Sequence, residues 1–90
     1  MTDSDESLET TRKRLLFRSW HRGTREMDLL LGRFAERNLA AFSQRQLLLY
    51  ATLLEHGDND LYDWMAGREQ CPPALESDVM KLLIDFKFTT

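Results

Sequence analysis

Apolar residues recur along this chain with the period of a helix. Met27, Leu30, Leu31, Phe34 and Ala35 fall at i, i+3, i+4, i+7 and i+8, a continuous stripe that predicts a helix ending near Asn38. Before it, Leu8, Leu15 and Leu16 give a thinner face to a first helix running from about residue 8 to His21. Ser43 with Gln46 three positions on is a capping-box signature, and Leu47, Tyr50, Ala51 and Leu54 form the stripe of the helix it opens. Gly57 is expected to end that helix as a left-handed residue. Asp58 is expected to cap a short fourth helix carrying Leu61, Trp64 and Met65 and stopped by Gly67. Cys71-Pro72-Pro73 forbids helix through it. Val79, Leu82, Leu83 and Phe86 make a last stripe, whose start fits either Pro73 in a first turn or Ser77 as cap.

No alternating run or hairpin dipeptide predicts a strand. The fold class is all-α, a compact bundle of about five short helices over residues 8–88, preceded by a flexible acidic N-terminus over residues 1–7. Helices this short are marginal alone and are held by packing. Phe34 and Trp64 should dominate that packing, because an aromatic side chain buries roughly 150–250 Å².

Composition narrows the function. The 90 residues are 42% hydrophobic, enough for one small core. No apolar run approaches the roughly 18 residues of a membrane span, and MTDSDESLETT resembles neither a secretory signal nor an Arg-rich transit peptide. Cys71 is the only cysteine, which excludes an internal disulfide and reads as a small half-buried filler. His21 and His56 lack companions at metal-ligand spacing, so no metal is expected.

Charge is unevenly placed. From Arg12 to Arg25 there are six Arg or Lys and no acid, a stretch of +6; with a net charge of −3, the rest carries −9. Such a dipolar surface steers partners of complementary sign. A nucleic-acid reading draws on the aromatic-interleaved run RKRLLFRSWHRGTR. The chain's pI near 5.3 argues against it, since phosphate binding rests on positive surface. Catalysis finds no base beside a nucleophile, and no glycine-rich phosphate cradle exists. The four glycines read as scattered helix terminators.

WHRGTRE, residues 20–26, is where the first two helical patterns meet. A structural account is available: Gly23 takes a positive φ at the end of one helix, Arg22 suits that helix's negative end, and Glu26 suits the positive start of the next. It leaves a surplus of charge, because Arg18, His21, Arg22 and Arg25 gather at a corner already terminated by Gly23. A glycine also admits close approach of another backbone, with Arg and Glu beside it for charge-assisted hydrogen bonds. Both readings stay open on these grounds.

The stretch RKRLLFRSWHRGTREMDLLLGRFAE, with Arg22-Gly23-x-x-Glu26 followed by Asp28 and an apolar helix, resembles the SdhE-type family of flavinylation factors, called succinate dehydrogenase assembly factor 2 in mitochondria. DLYDWMAG is similar to the family's Asp-Leu-aromatic-x-Trp helix, and the likeness runs from about Arg12 to Phe86. It implies a five-helix bundle that is not an enzyme. Such a factor binds the flavoprotein subunit of succinate dehydrogenase, or in some bacteria fumarate reductase, and promotes covalent attachment of FAD to it. Carried over by motif, Arg22, Gly23 and Glu26 are the partner-binding residues. Asp28 follows the signature, and Arg14, Arg18, His21 and Arg25 lie close by to steer. His21 stands where relatives often have a second Arg, and Thr24 where they often have Met. No dinucleotide fingerprint is present, so no tightly bound cofactor is expected, and the chain is expected to act as a monomer without metal, nucleic acid or membrane. Its compartment would be the bacterial cytoplasm, or the mitochondrial matrix for a mature eukaryotic form. An antitoxin-like regulator, attached to some relatives, has no support in these residues.

Overall fold

The helical stripes become five helices. The computed structural model describes residues 4–86, in which α1 (Ser4–Trp20), α2 (Arg25–Asn38), α3 (Gln44–Leu54), α4 (Asp58–Met65) and α5 (Asp78–Phe86) follow one another, with single 3-10 turns at Leu39–Ala41 and Pro73–Leu75. No strand occurs among the described residues, and the all-α class read from periodicity holds. The expected flexible stretch at residues 1–7 lies partly outside the described residues, as does the domain end at residue 88; α1 is described from Ser4. The radius of gyration, 12.8 Å, is that of a compact chain of this size, where roughly 13 Å serves 100 residues.

α1 packs chiefly along α2 and also meets α3, while α3 and α4 both lean on α5. Phe34 stands at the centre, with the rings of Tyr50, Phe86 and Phe42 at 5.5, 5.6 and 6.2 Å. These separations suit tilted and edge-to-face pairs. Met27, Leu31, Ala35, Leu47, Leu54, Leu61, Trp64, Met65, Val79 and Leu83 are buried as their spacing predicts. Leu82 departs from its stripe at 41% exposure while Met80 is buried. α5 meets neighbours on two sides, which turns its inward face toward Val79, Met80 and Leu83 and leaves Leu82 outside.

The boundaries carry their own chemistry. Ser43 and Gln46 form the reciprocal capping box. The Gln46 side-chain amide also donates to Asp78 at 2.8 Å, and this bond holds the Asp78 carboxyl below its usual range. Of the two candidate starts for the last helix, Ser77 is the one used: its hydroxyl accepts from the Met80 N–H at 3.1 Å to open α5, while Pro73 begins a separate 3-10 turn. Arg12 of α1 reaches across to donate to the Leu39 and Phe42 carbonyls at 2.9 and 2.8 Å, pinning the turn after α2. Cys71 is half-buried against the core, and burial pushes its thiol pKa up.

Two glycine expectations are corrected. Gly57 does not end α3 in the left-handed region; its φ is −70° and it occupies the capping position before α4. The carbonyls at the end of α3 are satisfied by a side chain instead, as the site shows. Gly32 terminates nothing, because it sits buried inside α2 where a Cβ would run into the Trp20 ring. Gly23 and Gly67 do take positive φ, 121° and 77°.

Candidate functional site

The corner between α1 and α2 is built by short-range bonds that the sequence dictates. α1 ends at Trp20, and Gly23 turns the chain with a φ that L side chains rarely adopt. Thr24 then caps α2 in an extended conformation, its hydroxyl accepting from the Met27 N–H at 3.3 Å. Asp28, in the first turn of α2, folds its carboxylate back. One oxygen accepts from the Arg22 N–H at 2.5 Å and from the Gly23 N–H at 3.3 Å. The corner's two outermost amides are thus fixed by an anion at a helix start, where the dipole favours it.

Arg22 braces the corner against the rest of the bundle. Its guanidinium donates to Asp58 Oδ1 at 2.8 Å, to the Leu54 carbonyl at 2.8 Å and to the His56 carbonyl at 2.7 Å. The side chain is only 11% exposed. One planar cation therefore closes the end of α3 and holds the first residue of α4. This explains two departures from expectation: the α3 carbonyls need no left-handed Gly57, and Asp58, expected to cap α4, is instead its first residue and gives its carboxylate to Arg22 rather than to the amides of α4.

The remaining motif residues point outward. Gly23, Arg25 and Glu26 are exposed, and among the described residues neither Arg25 nor Glu26 has an internal hydrogen bond or ion pair. Arg14 is exposed and likewise unpaired. Arg18 pairs with Glu55 at 3.0 Å on the surface, a contact of little energetic weight. The His21 ring stacks on Phe17 at 4.0 Å, and its Nδ1 lies 2.7 Å from the Phe17 carbonyl, which requires Nδ1–H to donate and leaves Nε2 facing out. Phe17 itself is 63% exposed.

Beside these residues runs an open groove of about 510 Å³, lined by Trp20, His21, Gly23, Thr24, Arg25, Asp28 and Leu29. Trp20, Thr24 and Leu29 were not singled out as site residues from the sequence. The available signal for Trp20 was Gly32, since a glycine inside a helical pattern marks a close approach. Among the described residues, no three His, Cys, Asp or Glu side chains gather to hold a metal ion, and no helix is long and apolar enough to cross a membrane.

Fold and site define a small all-α protein with one interhelical corner braced from within and charged side chains directed outward. Comparison with known proteins places that class. The family model described as "Flavinator of succinate dehydrogenase" matches residues 13–87, and the chain belongs to this family. Succinate dehydrogenase assembly factor 2-B, mitochondrial, of Drosophila mojavensis is 42% identical over 81 residues, covering 88% of this chain and 52% of its own length. The Dictyostelium discoideum assembly factor 2 is 40% identical over 76 residues, 84% of this chain and 54% of its own. FAD assembly factor SdhE of Acetobacter pasteurianus is 33% identical over 82 residues, 91% of this chain and 75% of its own. The chain thus spans about half the length of those two mitochondrial relatives.

Proposed function

We propose that this chain is an assembly factor that docks its α1–α2 corner onto the flavoprotein subunit of succinate dehydrogenase and promotes covalent attachment of FAD to that subunit. Fumarate reductase's flavoprotein is the related target. The observation that carries the reading is the division of the motif. Arg22 and Asp28 hold the corner through internal bonds, while Gly23 lies exposed at the turn and the Arg25 and Glu26 side chains face outward with no partner among the described residues.

A braced corner can press its backbone against a partner at Gly23, where no side chain intervenes, and offer Glu26 and Arg25 for charge-assisted hydrogen bonds. Arg14, Arg18 and His21 extend the basic flank of α1 and steer approach. The factor contributes no reacting group and holds no flavin tightly; it acts as a monomer that favours the flavoprotein conformer in which histidine and isoalloxazine are apposed. Positioning of that kind can remove several kcal/mol from a barrier. Its working place follows its partner, in a bacterial cytoplasm or a mitochondrial matrix.

The test is in-gel flavin fluorescence of the flavoprotein subunit produced with this chain, without it, and with Glu26→Gln. Covalent flavin should rise with the parent chain and fall back with the variant. Thermal melting of Glu26→Gln should stay within about 1 kcal/mol of the parent, because an exposed first-turn carboxylate contributes no more than that. Equal flavin signal in all three samples would refute the proposal.

A further inference from the structure

The groove at the corner contains a feature that the motif does not require. Trp20 ends α1 with its indole laid flat on α2 at Gly32, so close that a Cβ at position 32 would overlap the ring. The indole N–H donates to Glu36 Oε2 at 3.1 Å, one helical turn further along α2. A glycine inside a helix weakens it relative to alanine, so Gly32 is costly to α2 unless close approach is what it provides. The ring nonetheless stays half-buried, and it lines the open groove with Leu29, itself 37% exposed. Arg25, unpaired among the described residues, lines the same groove. A large aromatic held in one orientation beside an apolar neighbour and a lone cation is the composition of an interface anchor.

Resting on the proposed function, we infer that Trp20, seated on the Gly32 backbone and tethered to Glu36, is the apolar wall of a docking groove. The groove receives a segment of the flavoprotein in which an apolar side chain is followed closely by a carboxylate. The apolar side chain lies between Trp20 and Leu29, and the carboxylate meets Arg25. Gly32 and Glu36 are positioning residues and touch no partner. A groove of about 510 Å³ is within the range of roughly 300–1,000 Å³ that admits such a side chain with its flanking backbone.

The experiment measures the dissociation constant for the apo flavoprotein subunit with the parent chain, Trp20→Ala, Gly32→Ala, the double variant and Glu26→Gln. Trp20→Ala and Gly32→Ala should each weaken binding at least about tenfold, and the double variant should be no weaker than Trp20→Ala alone. That non-additivity is the mark of Gly32 acting through Trp20; independent, additive losses would overturn the assignment of Gly32. In parent chain labelled with 5-fluorotryptophan, the Trp20 fluorine signal should shift on complex formation while that of the core residue Trp64 stays. This arm needs no variant to fold. If Glu26→Gln weakens binding but Trp20→Ala and Gly32→Ala bind as the parent does and the Trp20 signal is unmoved, the groove is refuted and the docking corner stands. If the parent chain does not bind the subunit at all, the proposed function falls and the groove with it.

Discussion

Replacing Arg22 with alanine should damage the fold before it damages any contact with a partner. The guanidinium makes three bonds of 2.7–2.8 Å, to Asp58, Leu54 and His56, from a side chain 11% exposed. A hydrogen bond to a charged group contributes roughly 1.5–3 kcal/mol, yet the three cannot be summed, because water can reach some of what is vacated. Asp58 is 25% exposed, which places the pair between two limits. Breaking a fully buried ion pair costs about 3–5 kcal/mol, and a surface pair is worth about 0–1 kcal/mol. The expected loss for Arg22→Ala is about 2–4 kcal/mol. At roughly 4–8 °C per kcal/mol for a domain of this size, the melting temperature should drop by roughly 8–32 °C.

Circular dichroism at 222 nm through a thermal ramp, with urea titration alongside, reads this directly. Arg22→Lys keeps the charge without the planar fork and should fall between parent and alanine. A double-mutant cycle with Asp58→Asn isolates the ion-pair share from the two carbonyl bonds. A melt for Arg22→Ala within roughly 3 °C of the parent would refute the bracing argument, since that corresponds to less than about 1 kcal/mol.

Gly23→Ala should cost roughly 1–3 kcal/mol from backbone strain alone, because the added Cβ meets no atom within 4 Å while φ is +121°. A synthetic chain with D-alanine at position 23 should melt like the parent yet bind the flavoprotein more weakly, separating strain from close approach. Normal docking by that chain would count against a backbone contact at Gly23. Tyr50 is fully buried, and because the Ser19 hydroxyl gives its hydrogen to the Leu15 carbonyl, the Tyr50 O–H donates to Ser19 at 2.6 Å. Burial pushes the phenol up to about 12, against partial opposition from Ser19 and from the charges of Arg22 and Arg18. The folded state therefore keeps a proton that the unfolded chain releases near pH 10, so stability is intact below that and falls as pH climbs toward 12. Tyr50→Phe should flatten this alkaline slope in denaturant titrations; an unchanged slope would refute the assignment.

The stripes of α2, α3 and α4 were legible because each has one inward face, and periodicity reports faces. In α5 the stripe placed Val79 and Leu83 correctly but took Leu82 inward where Met80 is buried, because the helix packs on two neighbours and no local pattern says which side of Leu82 they occupy. The capping box at Ser43 is a contact within four residues and could be read from the letters. The role of Arg22 could not, since its partners lie 32–36 residues away and two of them are backbone carbonyls, which have no letter in the sequence. The same limit applies to charge. The +6 stretch reads as a uniform basic surface, yet Asp58 and Glu55 oppose two of its cations and Arg12 faces carbonyls. The surplus of charge around Gly23 left the corner open to either reading, and the structure divides it: Arg18 and Arg22 pair internally while Arg25 and Glu26 stay outward. Trp20 was hidden because its meaning depends on Gly32, which looked like a terminator.

A factor without a reacting group can raise a rate only through a difference in its affinity for two conformers of its partner. That difference is eroded if the factor must itself be ordered on docking, because ordering costs roughly 0.5–1.5 kcal/mol for each mobile side chain fixed. In this corner the backbone and its supports are already bonded within the chain: Asp28 holds the two turn amides, Arg22 ties the turn to the α3–α4 junction, and Trp20 is seated on α2, so docking has only outward side chains such as Arg25 and Glu26 to fix. The residues that do the holding are distinct from those left facing outward, and their substitutions should fail differently. Loosening the brace at Arg22 or Asp28 lowers affinity through disorder, so stabilising the bundle elsewhere should restore part of it. On the proposed function, removing Glu26 takes away a group that would meet the partner, and no added stability in the bundle should return it.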